Sequence, residues 1–282
     1  MVRLTIDNKV VEVAKGTTIL NAAEQAGIEI PTLCYVKDLL PDGSCRMCMV
    51  EIENNGRTKM DTACTAQVSE NLVVYTKSEK VIKARRNVLD MLLSNHKTDC
   101  FSCASNGDCK LQDLCYEYGV EKTTFEGESV DLPIDDTNPF FTYNPNLCVL
   151  CHRCVNTCHK IVGRGAIDTM QRGFTSVIGT PFDEDWRKTN CESCGNCVEA
   201  CPTGALTMKR RKNYRSYQID KEVLTTCPHC GTGCQYKLLV KDNKIVDVKA
   251  ADGKSNKGLL CVKGRSGSFD FVHSEDRIKY PL

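Results

Sequence analysis

Cysteine is the residue whose number and spacing could do chemistry here: the chain holds 20 in 282 residues, gathered in groups with long gaps between most of them. Cys148, Cys151, Cys154 and Cys158 follow C-x2-C-x2-C-x3-C, and Cys191, Cys194, Cys197 and Cys201 repeat that spacing. Cys34, Cys45, Cys48 and Cys64 follow C-x10-C-x2-C-x15-C, while His96, Cys100, Cys103 and Cys109 follow H-x3-C-x2-C-x5-C. A last group, Cys227, Cys230, Cys234 and Cys261, follows C-x2-C-x3-C-x26-C. Thiols in such numbers either pair as disulfides or bind soft metals. Disulfide scaffolds of this density are normally short, secreted and led by a signal peptide. This chain runs from Met1 straight into the alternation Val2, Leu4, Ile6, with no twin-arginine signal and no long apolar run. A cytoplasmic location is therefore expected, where thiols stay reduced and clustered cysteines mean metal or redox chemistry.

In the repeated quartet one tight loop wraps three corners of a cube, and the fourth cysteine crosses to the other cluster, as in bacterial two-cluster ferredoxins. One [4Fe–4S] cube is thus assigned to Cys148, Cys151, Cys154 and Cys201, the second to Cys191, Cys194, Cys197 and Cys158. Zinc is the competing metal, but zinc sites favour two separated cysteine pairs. Pro202 follows Cys201 as that pattern expects, whereas His159 replaces the proline after Cys158.

Cys34, Cys45, Cys48 and Cys64 supply the four thiolates that a [2Fe–2S] rhomb needs, though not at the plant-type spacing. The segment Gly43-Ser44-Cys45-Arg46-Met47-Cys48 resembles the ferredoxin-like head of the large iron–sulfur subunit of respiratory complex I. It also resembles the heads of multi-cluster hydrogenases and formate dehydrogenases. The His96 group, trailed by Lys110-Leu111-Gln112, looks like the [4Fe–4S] site of the same families that one histidine and three cysteines hold. An imidazole in place of a thiolate removes a negative charge and should raise that cluster's potential. Lys97 stands where those families commonly have proline.

The Cys227 group, with Gly264-Arg265-Ser266-Gly267 after it, resembles the N-terminal [4Fe–4S] domain of molybdopterin oxidoreductases, formate dehydrogenases above all. That resemblance implies a lysine between cluster and pterin, and Lys263 occupies the place; the plainer reading is an exposed loop lysine. His229 is left out of the ligand set, since four thiolates complete the cube.

The elements that must position these groups are short. Val2–Asp7 and Val10–Ala14 alternate around an Asn8-Lys9 turn, and Thr17 or Thr18 can cap a helix that Gly27 ends. Strands are expected near Met49–Glu53 and Leu72–Tyr75. Ser78 starts a longer helix, and Leu111, Leu114, Cys115 and Tyr118 share one face of another, so Cys115 reads as a core residue. Net charge is +1, which argues against a dominant nucleic-acid or membrane-surface role. Lys209-Arg210-Arg211-Lys212 reads as a solvated loop. Aromatics are only 6%, too few for several small modules to build large cores, so bound clusters would supply the missing cores.

The expected fold is α+β and multi-domain: a β-grasp [2Fe–2S] head over 1–77, a small helical histidine-ligated [4Fe–4S] domain over 78–119, and a connector over 120–140. A two-[4Fe–4S] ferredoxin domain over 141–210 and a small β-rich [4Fe–4S] domain over 220–282 complete it. The order of modules resembles the start of the catalytic subunit of cytosolic NAD(P)-linked formate dehydrogenases. That resemblance implies one [2Fe–2S] and four [4Fe–4S] clusters, flavin- and NAD(P)-binding partner subunits and a molybdenum or tungsten pterin body. A bifurcating hydrogenase or transhydrogenase built from the same modules is the alternative. No cysteine is left over at the C-terminal end to ligate a pterin-bound metal, so this chain alone lacks a complete catalytic site; it is either a short electron-transfer subunit or an excerpt.

Overall fold

The computed structural model describes every residue except Ser268, Lys279, Pro281 and Leu282, and every described side chain except that of Lys212. Those four positions of the expected 220–282 module therefore lie outside the described residues. Two compact units form: Met1–Thr98 with Lys110–Val130 and Val149–Arg153, and Asp99–Cys109 with Asp131–Cys148 and Cys154–Leu282.

In the first unit β1 (Val2–Ile6) and β2 (Lys9–Val13) form an antiparallel hairpin. Its turn is Asp7-Asn8, one residue earlier than expected. Both residues take positive φ, 44° and 67°, which Asp and Asn tolerate better than Lys does. Thr18 caps α1 (Ile19–Gln25) by accepting from the Asn21 N–H at 3.3 Å, and Gly27 ends it at φ 68°. Then come β3 (Met49–Asn54), β4 (Arg57–Thr62), which no pattern in the sequence marks, and β5 (Val73–Tyr75). The sheet order is β2-β1-β5-β3-β4 with β1 and β5 parallel, the arrangement of a β-grasp. Leu4, Ile6, Val13, Ile19, Val50 and Val74 are all buried beneath α1 and the sheet.

Ser78 caps α2 (Glu79–Leu93), which buries Val81, Leu89 and Leu93. The same helix buries Arg85, whose guanidinium donates to the Tyr118 hydroxyl at 2.8 Å and the Met49 carbonyl at 2.9 Å. These bonds tie α2 to α3 (Lys110–Tyr118) and to β3. The first part of the connector is less free than its polar composition suggests. Thr123 and Thr124 donate to the Asp90 carboxylate, and the Val130 N–H donates to Asn95.

The second unit is built from very short pieces. β6 (Phe141–Tyr143) waits for a distant partner, and α4 (Arg153–Asn156), which begins in the first unit, runs into a π-helical turn at Thr157–Ile161. β7 (Asp168–Met170) pairs β8 (Val177–Gly179), α5 (Asn196–Ala200) follows, and β9 (Leu206–Met208) closes on β6. Trp186 meets Phe141 edge to face at 5.0 Å and donates to Asp135 at 2.7 Å. β10 (Lys221–Thr226), β11 (Gln235–Lys241) and β12 (Lys244–Ala250) form an antiparallel meander, and α6 (Val262–Ser266) follows.

The run Lys209–Lys212 is not the solvated loop expected. It lies in a 3-10 helix, Lys209–Asn213, and two of its arginines turn inward. Arg210 stacks 4.6 Å over the Phe269 ring, and Arg211 bonds Asp108 at 2.6 Å; their side chains are 21% and 13% exposed. Apolar stems and a carboxylate partner make burial cheaper than solvation there. The side chain of Lys212 lies outside the described residues.

Candidate metal centres

In the first unit the loop after α1 and the β3 and β4 ends bring Cys34, Cys45, Cys48 and Cys64 together, each at most 7% exposed. A hydrogen bond from Cys45 pulls the Cys34 thiol down to about 5, and Cys45 is pushed up in return. Cys48 and Cys64 form a second such pair, with Cys48 pulled down, and the charge of Cys34 reaches both. The Leu33 N–H points at the Cys45 sulfur from 3.4 Å. Four buried thiols with a backbone donor aimed at sulfur fit an anionic, thiolate-bound group.

In the second unit Cys158 sits on the π-helical turn, and Cys191, Cys194 and Cys197 on the loop leading into α5. Burial pushes the Cys197 thiol well up, and Cys194, Cys191 and Cys158 add to it, so the four sulfurs share one neighbourhood. N–H groups of Ala166 and Ser193 point at the sulfurs of Cys158 and Cys191, each from 3.3 Å. The residue at the expected proline position, His159, instead lets the chain continue through the π turn, and its ring Nε2 lies 2.9 Å from the Ile167 carbonyl.

Cys148 and Cys154 both adjoin the buried Tyr143 hydroxyl, which burial, then these sulfurs, pushes upward. Cys201 approaches the same place through Thr203, whose hydroxyl is 3.7 Å from its sulfur and donates to the Leu147 carbonyl at 2.8 Å. Cys151 is buried and belongs to the first unit.

Of the histidine-containing group, His96 follows α2 in the first unit, its N–H bonded to the Leu93 carbonyl. Cys100, Cys103 and Cys109 lie in the second unit, where burial, then Cys103, pushes the Cys100 thiol up. Cys109 lies 3.7 Å from the Pro202 carbonyl. A Cβ on Gly204 would stand 2.6 Å from the Cys103 sulfur. These two cysteines therefore pack on the three residues that follow Cys201.

Cys227, Cys230, Cys234 and Cys261 also meet. Burial raises the Cys234 thiol, and the other three add to it. The Gly264 N–H points at the Cys261 sulfur from 3.5 Å. Cys230 and Cys261 are exposed, as is Lys263, whose charge acts on Cys230. His229 packs against Phe271 instead of joining them, with ring centroids 6.4 Å apart.

Among the described residues no cysteine forms a disulfide, and no three His, Cys, Asp or Glu side chains close on one common metal ion. Sequence reasoning missed several residues that hold these loops. Asn138, at 1% exposure, donates to Ser193 at 3.0 Å, and Asn196 and Arg265 bind across the unit. Their partners lie tens of residues away, so no local pattern announces them.

Comparison with known proteins gives this arrangement relatives. Residues 1–79 match a 2Fe-2S iron-sulfur cluster binding domain, and 85–124 the NADH-ubiquinone oxidoreductase-G iron-sulfur binding region. Residues 138–207 match the ferredoxin-like domain of NADH-quinone oxidoreductase subunit 3, 190–238 a 4Fe-4S dicluster domain, and 220–273 the molybdopterin oxidoreductase Fe4S4 domain. A chain in the crystal structure of NAD+-reducing [NiFe]-hydrogenase in the H2-reduced state is 32% identical with TM-score 0.68, covering 74% of this chain and 87% of that one. The chain belongs to the NADH-quinone oxidoreductase G family. The NADH-quinone oxidoreductase G 2 protein of Rhizobium meliloti and NADPH-Fe(3+) oxidoreductase subunit alpha of Geobacter sulfurreducens are each 40% identical over 100% of this chain. Each alignment covers 33% of the relative, so the chain spans a third of their length. As a member of that family it is an iron–sulfur electron-transfer protein with both [2Fe–2S] and [4Fe–4S] domains. No described helix is long and apolar enough to cross a membrane.

Cys115 sits at the edge of the α3 stripe and is only half-buried, where Leu111, Leu114 and Tyr118 are buried. As a packing residue it should tolerate Cys115→Ala at a cost below about 1 kcal/mol. Paramagnetic resonance of the reduced protein should show every cluster signal unchanged, and loss of any one would make Cys115 a ligand.

Proposed function

We propose that this chain carries electrons between an NAD(P)-linked flavin partner at its [2Fe–2S] head and a molybdopterin centre facing the Cys227 site, and that formate is the substrate of that centre. Bound to these thiolates, iron–sulfur clusters take up and release single electrons. The residues proposed to hold them are the five sets of four described above, His96 included. The chain's part is to keep neighbouring sets in contact and to bury or expose each. Pro202–Gly204 bridge the Cys103 and Cys109 sulfurs to the Cys201 loop, and the Asn196–Leu260 pair bridges the second cube to Cys261.

One observation carries the molybdopterin reading. The 220–273 module, matched to molybdopterin oxidoreductases, leaves Cys230, Cys261 and Lys263 exposed together, as a site open to a further redox body would be. Formate rests on the motif around Cys227-Pro228-His229-Cys230 and Gly264-Arg265. The likeness to the NAD+-reducing hydrogenase chain favours a second reading, in which hydrogen is the electron source, yet that likeness covers only 74% of this chain.

The native complex containing this chain decides between them. Under anaerobic conditions formate should reduce the chain's clusters and NAD(P)+ in turn, with molybdenum or tungsten present in stoichiometric amount. Reduction by hydrogen and not by formate would overturn the proposal in favour of the second reading.

A further inference from the structure

Arg265 is the largest fully buried side chain in the protein, 2% exposed, and the motif around it gives it no role. It extends from α6, just past Cys261, into the loop of the second ferredoxin quartet. There its Nε donates to the Cys194 carbonyl at 2.9 Å, and its terminal nitrogens donate to Asn196 Oδ1 at 3.1 Å and Glu199 Oε2 at 2.6 Å. The approach is so close that a Cβ on Gly195, at φ 71°, would lie 2.4 Å from Arg265 Cδ. Asn196 fixes the neighbouring backbone reciprocally, donating to the Leu260 carbonyl at 3.0 Å and accepting from the Leu260 N–H at 3.1 Å.

A guanidinium stays charged in any protein environment. Its counterion, Glu199, is 36% exposed and so is screened by water, whereas the arginine is not. The sulfurs of the quartet therefore face an excess of positive potential. The same sign shows at Cys197, where burial raises the thiol and Arg265 opposes it.

We propose that Arg265 sets the reduction potential of the cube held by Cys158, Cys191, Cys194 and Cys197, so that the module carrying the Cys227 site tunes its neighbour. A buried cation favours the reduced cube, which carries one more negative charge. The inference rests on the reading that these four cysteines hold a [4Fe–4S] cluster. It makes Arg265 a positioning residue that acts through the cluster environment.

The test is an anaerobic redox titration of the whole chain with assembled clusters, followed by paramagnetic resonance, with the cube's signal assigned by its loss in Cys191→Ser. Arg265→Gln should lower the reduced-to-oxidised ratio of that cube about tenfold at fixed poise, which is about 59 mV for a one-electron couple. Arg265→Lys, which keeps the charge, should recover most of the shift. Glu199→Gln, which removes the counterion, should move the midpoint the other way. An unchanged midpoint in a fully loaded Arg265→Gln protein would overturn the inference, as would shifts of equal sign in Arg265→Gln and Glu199→Gln. If Arg265→Gln loses the cube, Glu199→Gln decides: an upward shift upholds the inference and an unmoved midpoint overturns it. Absence of the cube's signal from the unaltered chain would overturn the cluster reading itself, and this inference with it.

Discussion

Stripping iron from the chain with an anaerobic chelator is expected to unfold residues 141–209 completely, before any other part of the protein. The strands there, β6, β7, β8 and β9, are three residues each, and α4 and α5 have four and five. Helices and hairpins of that size do not persist in water without tertiary support. Their support is a few buried side chains, Phe141, Ile167, Trp186 and Leu206 among them, together with the two cysteine quartets. A structural metal typically contributes about 10–16 kcal/mol of coupled binding and folding energy, comparable to or larger than the whole stability of a small domain. The sheet of the first unit has the larger continuous core, running from Val2 to Val74. Hydrogen exchange read by mass spectrometry should therefore show protection lost across 141–209 while β1, β3 and β5 retain it longest. Native-like protection of 141–209 in iron-free protein would refute the coupling.

The second large effect concerns one hydrogen atom's worth of space. At Gly204 a Cβ would lie 2.6 Å from the Cys103 sulfur and 3.3 Å from Leu147 Cδ1. Cys103 is proposed as a ligand, so its sulfur is held by the metal and cannot swing aside as a free side chain could. Gly204→Ala should therefore eject the cluster assigned to His96, Cys100, Cys103 and Cys109. Iron should fall from about 18 to about 14 atoms per chain, with one [4Fe–4S] signal missing and the others in place. Gly231→Ala is the control, because nothing lies within 4 Å of the added carbon and the backbone there is ordinary. Full iron content in the Gly204 variant would show that the sulfur can move, and would remove Cys103 from the ligand set.

Much of the candidate chemistry was legible in the sequence, because cluster loops are local. Three cysteines spaced two residues apart can only wrap a compact object, and the repeat of that spacing pointed Cys158 towards Cys191, Cys194 and Cys197. The structure does bring those sulfurs together. The head was readable for a similar reason: alternation in β1 and β2 and the cap at Thr18 are short-range signals. The turn slipped by one residue because positive φ at Asp7 is a backbone matter that hydrophobic alternation does not register. β4, mostly exposed and polar, has no apolar alternation and owes its existence to pairing with β3. What only the tertiary structure decided is how the metal loops are held against one another. Arg265 reaches Cys194 across 71 residues, Gly204 is shaped by a cysteine a hundred positions earlier, and Arg211 finds Asp108 across 103. Arg210 and Arg211, read as solvent-facing, were buried by those long-range partners. Spacing along the chain encodes which thiols can share a cluster; the charge and the room around each cluster come from residues that only folding makes neighbours.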